Sequence, residues 1–303
     1  MNQFHCRSRS DADFDVRREI EWVAAKNEVT ERIVHVPREL IHRDSLVSCE
    51  KDFIFYSTSN GLASGNSRAE AIVHGLSEVI ERDQLAFWQL RKELTAVGLD
   101  TKVRIETIDD DVCRNIIEKV HMAGLEINIW YVTTNISVPT FTCSIWDSTM
   151  RTPYPSRAGG HGAHPYKRIA IIRAITEALQ SRLTHIAGGR DDMYWEKYIS
   201  LLPTYLDVNL KYISYIREEA EVVDYRRIDE APELASIDDA LHWLMERIKK
   251  DASGDSLVVD LTQEGSPIHV VQVIVPGLEL SANRQAYSPG QRMMSFLGEQ
   301  GIV

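Results

Sequence analysis

Glu70, His74, Glu78 and Arg82 stand at four-residue steps just after a stretch rich in Gly and Ser, Asn60-Gly-Leu-Ala-Ser-Gly-Asn-Ser67. At about 100° per residue on a helix, such a series drifts slowly around one side. Ile72, Leu76, Val79 and Ile80 fall toward the other side, where a core can take them. A flexible segment opening a helix suits phosphate, because the first N–H groups have no intrahelical acceptor and the dipole favours an anion. Carboxylates along one face suit Mg²⁺, a hard cation that takes oxygen ligands and keeps substrate phosphates in its shell. Arg82 supplies a guanidinium that can fork onto a phosphate. These residues together can form a nucleotide–metal site.

The same residues allow a plainer reading. Ser67 and Glu70 fit the S-x-x-E capping box, so Glu70 can cap its own helix. Glu78 with Arg82 is a favourable i,i+4 pair of the kind that decorates solvated helices, and Gly61 and Gly65 can serve turn geometry alone. The stretch is not a Walker A loop, since no Gly-Lys-Ser/Thr follows, and its G-x-x-x-G spacing is not the dinucleotide fingerprint.

A second group of polar residues lies between 159 and 192. His161-x-x-His164 sits in a glycine-rich stretch without Cys or acidic partners at ligand spacing, which favours a structural or substrate-facing role over zinc. Arg173, Glu177 and Gln180 share one helical face, and Arg190-Asp191-Asp192 follows a Gly-Gly turn. Cys6, Cys49, Cys113 and Cys143 are scattered, with no C-x-x-C pair; free thiols in a reducing cytoplasm account for them.

The elements that must hold these groups alternate along the chain. Helices are expected over 17–25, 67–94, 109–123, 166–187 and 237–250, and in part over 194–221. Strands are expected over 32–36, 53–57, 126–133, 141–146, 257–261 and 269–275, with 141–146 beside 126–133. In the helix 166–187, Ile169, Ile172, Ile175, Ala178 and Leu179 are the core candidates. The pattern predicts a layered α/β or α+β sheet fold, in one domain over 1–303 with 285–303 as a polar surface tail. At 44% hydrophobic and 26% charged residues the composition is that of a globular protein. A net charge of −11 speaks against nonspecific nucleic-acid binding and against an anionic membrane surface. It leaves room for a local basic pocket, to which Arg182 and Arg190 are candidates. No apolar run reaches membrane-span length, and residues 1–15 have no apolar signal core.

The stretch SNGLASGNSRAEAIVHGLSEVIERD (59–83) resembles the signature of the YcaO family of ATP-dependent peptide-backbone-modifying enzymes. The block GGHGAHPYKRIAIIRAITEALQSRLTHIAGGRDD (159–192) is similar to the family's following block, and residues 19–44 and 269–279 also match its usual run. This resemblance implies the α+β form, a layered mixed sheet flanked by helices. It also implies ATP and Mg²⁺ as cofactors, with Asn66, His74, Arg82 and Arg190 at the nucleotide and Glu70 and Glu78 at magnesium. Where this chain has His74, some members carry glutamine. Site-lining roles for Arg173 and Glu177 follow more loosely.

The implied activity is phosphorylation of a backbone amide oxygen in a ribosomally made peptide, giving an azoline or a thioamide. The E-W-V and V-P-R-E-L stretches look closest to members that work with TfuA-type partners, which are linked to thioamides. Family members also carry an N-terminal third, with a S-x-x-x-E-x-x-E helix that completes the acidic cage. No such motif precedes Glu21-Trp22-Val23. Half of the cage is therefore expected from a complementary partner chain or a longer polypeptide; otherwise the chain is a non-catalytic subunit that binds peptide or a partner. A homodimer is an open assembly state.

Overall fold

Alternation rather than helical periodicity governs Trp22-Val-Ala-Ala-Lys-Asn27: Ala25 and Asn27 are buried while Trp22 and Ala24 are exposed. The computed structural model describes residues 17, 19–42, 55, 57–95, 101–148, 157–188, 222–251, 255–280, 289–299 and 301. In chain order its elements are β1 (Trp22–Asn27), β2 (Ile33–Pro37), β3 (Leu62–Gly65), α1 (Arg68–Thr95), β4 (Lys102–Arg104), α2 (Asp111–Met122), β5 (Glu126–Tyr131), β6 (Thr140–Trp146), β7 (Arg157–Ala163), α3 (Lys167–Ala187), β8 (Val222–Asp224), α4 (Ile237–Asp251), β9 (Leu257–Asp260), β10 (His269–Ile274) and α5 (Gln291–Glu299). Two five-stranded sheets with helices make this an α+β fold, as expected. The chain clusters into two units, Met1–Leu94 with Thr134–Ser137 and Ala231–Val303, and Thr95–Thr133 with Val138–Glu230.

The first unit holds an antiparallel sheet in the order β2-β1-β9-β10-β3. Two corrections fall here. The helix expected over 17–25 is absent among the described residues; β1 pairs with β2 on one side and β9 on the other, and this pairing overrides the local helical pattern. The Gly/Ser stretch is not a free loop: Leu62–Gly65 is the edge strand, with Gly65 opposite His269 and Leu62 opposite Gln272. Its glycines answer to packing. Gly61 has φ +78°, and a Cβ there would sit 2.2 Å from the Val273 carbonyl oxygen. A Cβ at Gly75 would meet the Val273 side chain at 2.6 Å, so α1 rides closely over β10.

The second unit holds the order β7-β6-β5-β4-β8, antiparallel except for the parallel pair β4–β8. β5 and β6 are neighbours as expected, with Ile127 opposite Ile145, Ile129 opposite Cys143 and Tyr131 opposite Phe141. That face packs against α2 and α3 through Cys113, Ile117 and Val120, and through Ala170, Ile171, Ala174, Ile175 and Ala178. The buried stripe of α3 thus differs from the expected one, because Ile169 is exposed and Ile172 and Leu179 are only partly buried. Small residues win because β7 is itself glycine-rich: a Cβ at Gly160 would lie 2.2 Å from the Ala178 amide, and one at Gly162 would lie 2.2 Å from the Ala170 carbonyl oxygen. Helix and strand backbones meet where alanine faces glycine.

The remaining helices, α2 and α4, lie within a few residues of their expected bounds. Within the stretch expected as a surface tail, Gln291–Glu299 is helical and buries Met293 and Leu297. The region 194–221 and most of 53–57 lie outside the described residues.

Candidate functional site

The chain leaves β3 at Gly65 and enters α1 through Asn66 and Ser67 alone. The capping arrangement forms. Ser67 Oγ accepts the Glu70 N–H at 3.2 Å, and the Glu70 carboxylate accepts the Asn66 N–H at 2.8 Å and its Nδ2 amide at 3.1 Å. Those hydrogen bonds from Asn66, followed by smaller help from Ser67 and His74, hold the Glu70 carboxyl below its ordinary range. Asn66 and Glu70 therefore clasp each other at the point where the sequence offered open N–H groups to a phosphate.

Further along, α1 is not the solvated helix that the i,i+4 pair suggested. From Ala71 to Phe87 every residue is buried except His74, which is exposed, and Glu78 and Arg82, which are half-buried. A helix buried on nearly all sides is an interior helix, and between Ala71 and Phe87 its one accessible strip is the i,i+4 series His74, Glu78 and Arg82. Arg82 does not pair with Glu78; its Nη2 lies 3.7 Å from Oε1 of Glu81, a carboxylate that is only 3% exposed. Sequence reasoning missed Glu81. Its signal was present, since it follows Glu78 by three residues and shares that face. Asp83, fully buried, has its carboxyl pushed up to about 6 by burial, against the opposing pull of Arg292.

In the second block, Glu177 reaches from α3 to β7, where its Oε2 accepts the His161 N–H at 2.8 Å. Arg173 is half-buried on the same helix and Gln180 is exposed. His161 lies on β7, and Nδ1 of His164 accepts the Tyr166 N–H at 3.0 Å at the entry to α3. Arg190 lies outside the described residues, as do Cys6 and Cys49. Cys113 and Cys143 are buried, and desolvation pushes the first thiol up to about 12 and the second upward as well, so neither is an activated nucleophile.

The donor set fits Mg²⁺ in kind, being carboxylate oxygen. Glu78 and Glu81 are one turn apart, whereas Glu70 precedes Glu78 by eight residues, about 12 Å along the axis. Glu70 and Glu78 therefore address different positions along the helix. Among the described residues no three His, Cys, Asp or Glu side chains gather as a metal site. No described helix is long and apolar enough to cross a membrane.

Comparison with known proteins bears on this arrangement. An uncharacterised protein of Methanothermobacter thermautotrophicus is 34% identical over 276 residues, covering 88% of this chain and 67% of that protein. An uncharacterised protein encoded in the tfuA 3′ region of Rhizobium leguminosarum bv. trifolii is 30% identical over 289 residues, covering 92% of this chain and 66% of that one. The chain thus spans about two thirds of the length of these relatives. Among solved structures, a heterocyclase in complex with substrate and cofactor superposes with a TM-score of 0.75 at 21% identity, over 96% of this chain and 37% of that one. YcaO from Methanopyrus kandleri bound with AMPPCP and Mg²⁺ gives 0.69 at 22% identity, over 89% and 67%. These likenesses show the shared fold. Residues 2–279 match the family described as YcaO cyclodehydratase, ATP- and Mg²⁺-binding, so the helix whose accessible strip is His74, Glu78 and Arg82 belongs to a member of the YcaO family.

Proposed function

We propose that this chain takes part in ATP- and Mg²⁺-dependent activation of backbone amides in a ribosomally made peptide, with α1 as its nucleotide helix. The observation that carries this reading is the burial of α1 from Ala71 to Phe87 on every side but the His74–Glu78–Arg82 strip, in a chain of a family that binds ATP and Mg²⁺. A carboxylate and a guanidinium one turn apart on this accessible edge can meet Mg²⁺ and a phosphate.

In this account Glu78, with Glu81 behind it, and Glu70, about 12 Å earlier along α1, each hold magnesium at separate positions. Arg82 and Arg190 meet phosphate oxygens, and Asn66 and His74 hydrogen-bond the nucleotide. When bound, Mg²⁺·ATP supplies the phosphoryl group that turns an amide oxygen, a poor leaving group, into phosphate. The protein's part is electrostatic: Arg82, steadied by Glu81, presents its guanidinium where negative charge develops.

The relative encoded in the tfuA 3′ region supports a TfuA-type partner, with which a thioamide is the product proposed here. With the candidate precursor peptide, sulfide and partner present, the purified protein should release phosphate only when peptide is added, and Glu78→Gln should abolish this release. Mass spectrometry then separates exchange of oxygen for sulfur from loss of water, the mark of an azoline. Peptide binding without ATP turnover under every partner combination would leave a non-catalytic subunit instead.

A further inference from the structure

We infer that Arg292 is a positioning residue for the nucleotide helix, and that α5 acts as a strap fixing the turn of α1 that carries Glu78, Glu81 and Arg82. This rests on the nucleotide reading of α1 given above. The strap lies past residue 279, where the family match ends, so the family's own motifs do not account for it.

The seat of α5 is the turn that follows Arg82. Arg292 pairs with the fully buried Asp83 through Nη2 and Oδ1. Its Nη1 donates to Asn135 Oδ1 at 2.9 Å, and its guanidinium lies 4.4 Å from the centre of the Phe87 ring. Phe296, one turn along α5, meets the same ring edge-on with centroids 5.0 Å apart. Ala86, Phe87, Met293 and Leu297 form one buried cluster beneath. Asp83 is also held from a second direction, accepting the Glu279 N–H at 2.8 Å, while Glu279 Oε1 accepts the Gly290 N–H at 2.9 Å just before α5 begins.

A charge buried as deeply as Asp83 is tolerated only with its partner in place. That partner comes from α5, not from α1 or the sheet. Because α1 is one continuous helix, the rotation and axial position of residues 83–87 set those of residues 78–82, one turn earlier. Loss of the Arg292 contact therefore moves the accessible strip without touching it.

Linkage makes this testable in both directions, since a seat that favours nucleotide binding must itself be tightened by nucleotide. Hydrogen exchange is measured on the full chain with and without Mg²⁺ and a non-hydrolysable ATP analogue, and nucleotide affinity is measured for wild type, Arg292→Gln and Arg292→Lys. We expect nucleotide to increase protection of residues 291–299. We also expect Arg292→Gln to raise the nucleotide Kd about tenfold, with Arg292→Lys between the two because it keeps the charge without the planar fork. The wild-type exchange result stands even where Arg292→Gln fails to fold. Nucleotide that binds without changing α5 protection, or with equal affinity in the two folded proteins, overturns the strap alone. No nucleotide binding by the wild type overturns the nucleotide reading, and the strap falls with it.

Discussion

The chain twice builds the same junction, a glycine-bearing edge strand passing through two or three residues into a long helix: β3 into α1, of 28 residues, and β7 into α3, of 21. In both, glycines face helix backbone where no side chain fits: a Cβ on Gly65 would lie 2.5 Å from the Ala71 amide nitrogen, and one on Gly160 would lie 2.2 Å from that of Ala178. The glycines are thus explained by packing in both places, and a glycine-rich entry to a helix is no evidence for phosphate here. What differs is the helix. α1 is capped by its own Ser67 and Glu70 and shows solvent a strip of His, Glu and Arg; α3 has no cap from its N-cap residue Tyr166, its Lys167 N–H going instead to Glu230 at 3.0 Å, and it shows solvent Ile169, Leu183 and Ile186 among its polar groups. The candidate site is marked by which side chains survive on the accessible edge of an interior helix.

The strongest way to break this comparison is to fill the glycines. Gly160→Ala and Gly65→Ala should each cost about 3 kcal/mol, the upper end of ordinary overpacking, read by chemical denaturation. If Gly65 were instead a phosphate contact, its variant would lose nucleotide affinity at unchanged stability. Next in size, Glu81→Gln should weaken Mg²⁺-dependent nucleotide binding about tenfold by releasing Arg82, against a smaller stability change, measured by calorimetry alongside thermal melting. Ser67→Ala should then cost about 1 kcal/mol of stability, the usual loss of a helix cap. The mildest effect is acid fraying. Asn66 holds the Glu70 carboxyl below its ordinary value of 4.5, so the cap's contribution is present above that pH and is lost as pH falls below it. Protection factors of amides at 66–71 should drop on acidification, while those in the buried middle of α3, from Ala170 to Ala178, hold steady.

Much of the fold was legible where periodicity is strong and local. The bounds of α1, α2, α3 and α4, and the pairing of β5 with β6, follow from apolar spacing and from Gly124, which has φ +74°. β1 was misread because Trp22-Val-Ala-Ala supports either period until its two partners are known. β3 was misread because Gly and Ser leave no side chains to alternate. On α3 the large isoleucines drew attention, although the alanines between them are what fits against Gly160 and Gly162. α5 did leave a signal, Met293, Phe296 and Leu297 at helical spacing, but its purpose depends on Asp83, more than two hundred residues away along the chain. The same holds for Glu81, whose burial comes from neighbours that no local pattern names.

The central claim is that α1 is a magnesium–nucleotide helix read out through Glu78. Titration calorimetry of wild type and Glu78→Gln with ATP, each with Mg²⁺ and with chelator, addresses it directly, with circular dichroism confirming equal helix content. The account predicts a Mg²⁺-dependent binding heat for the wild type and an affinity at least about tenfold weaker for Glu78→Gln. Equal affinity in the two folded proteins, or no ATP binding by either, would contradict it.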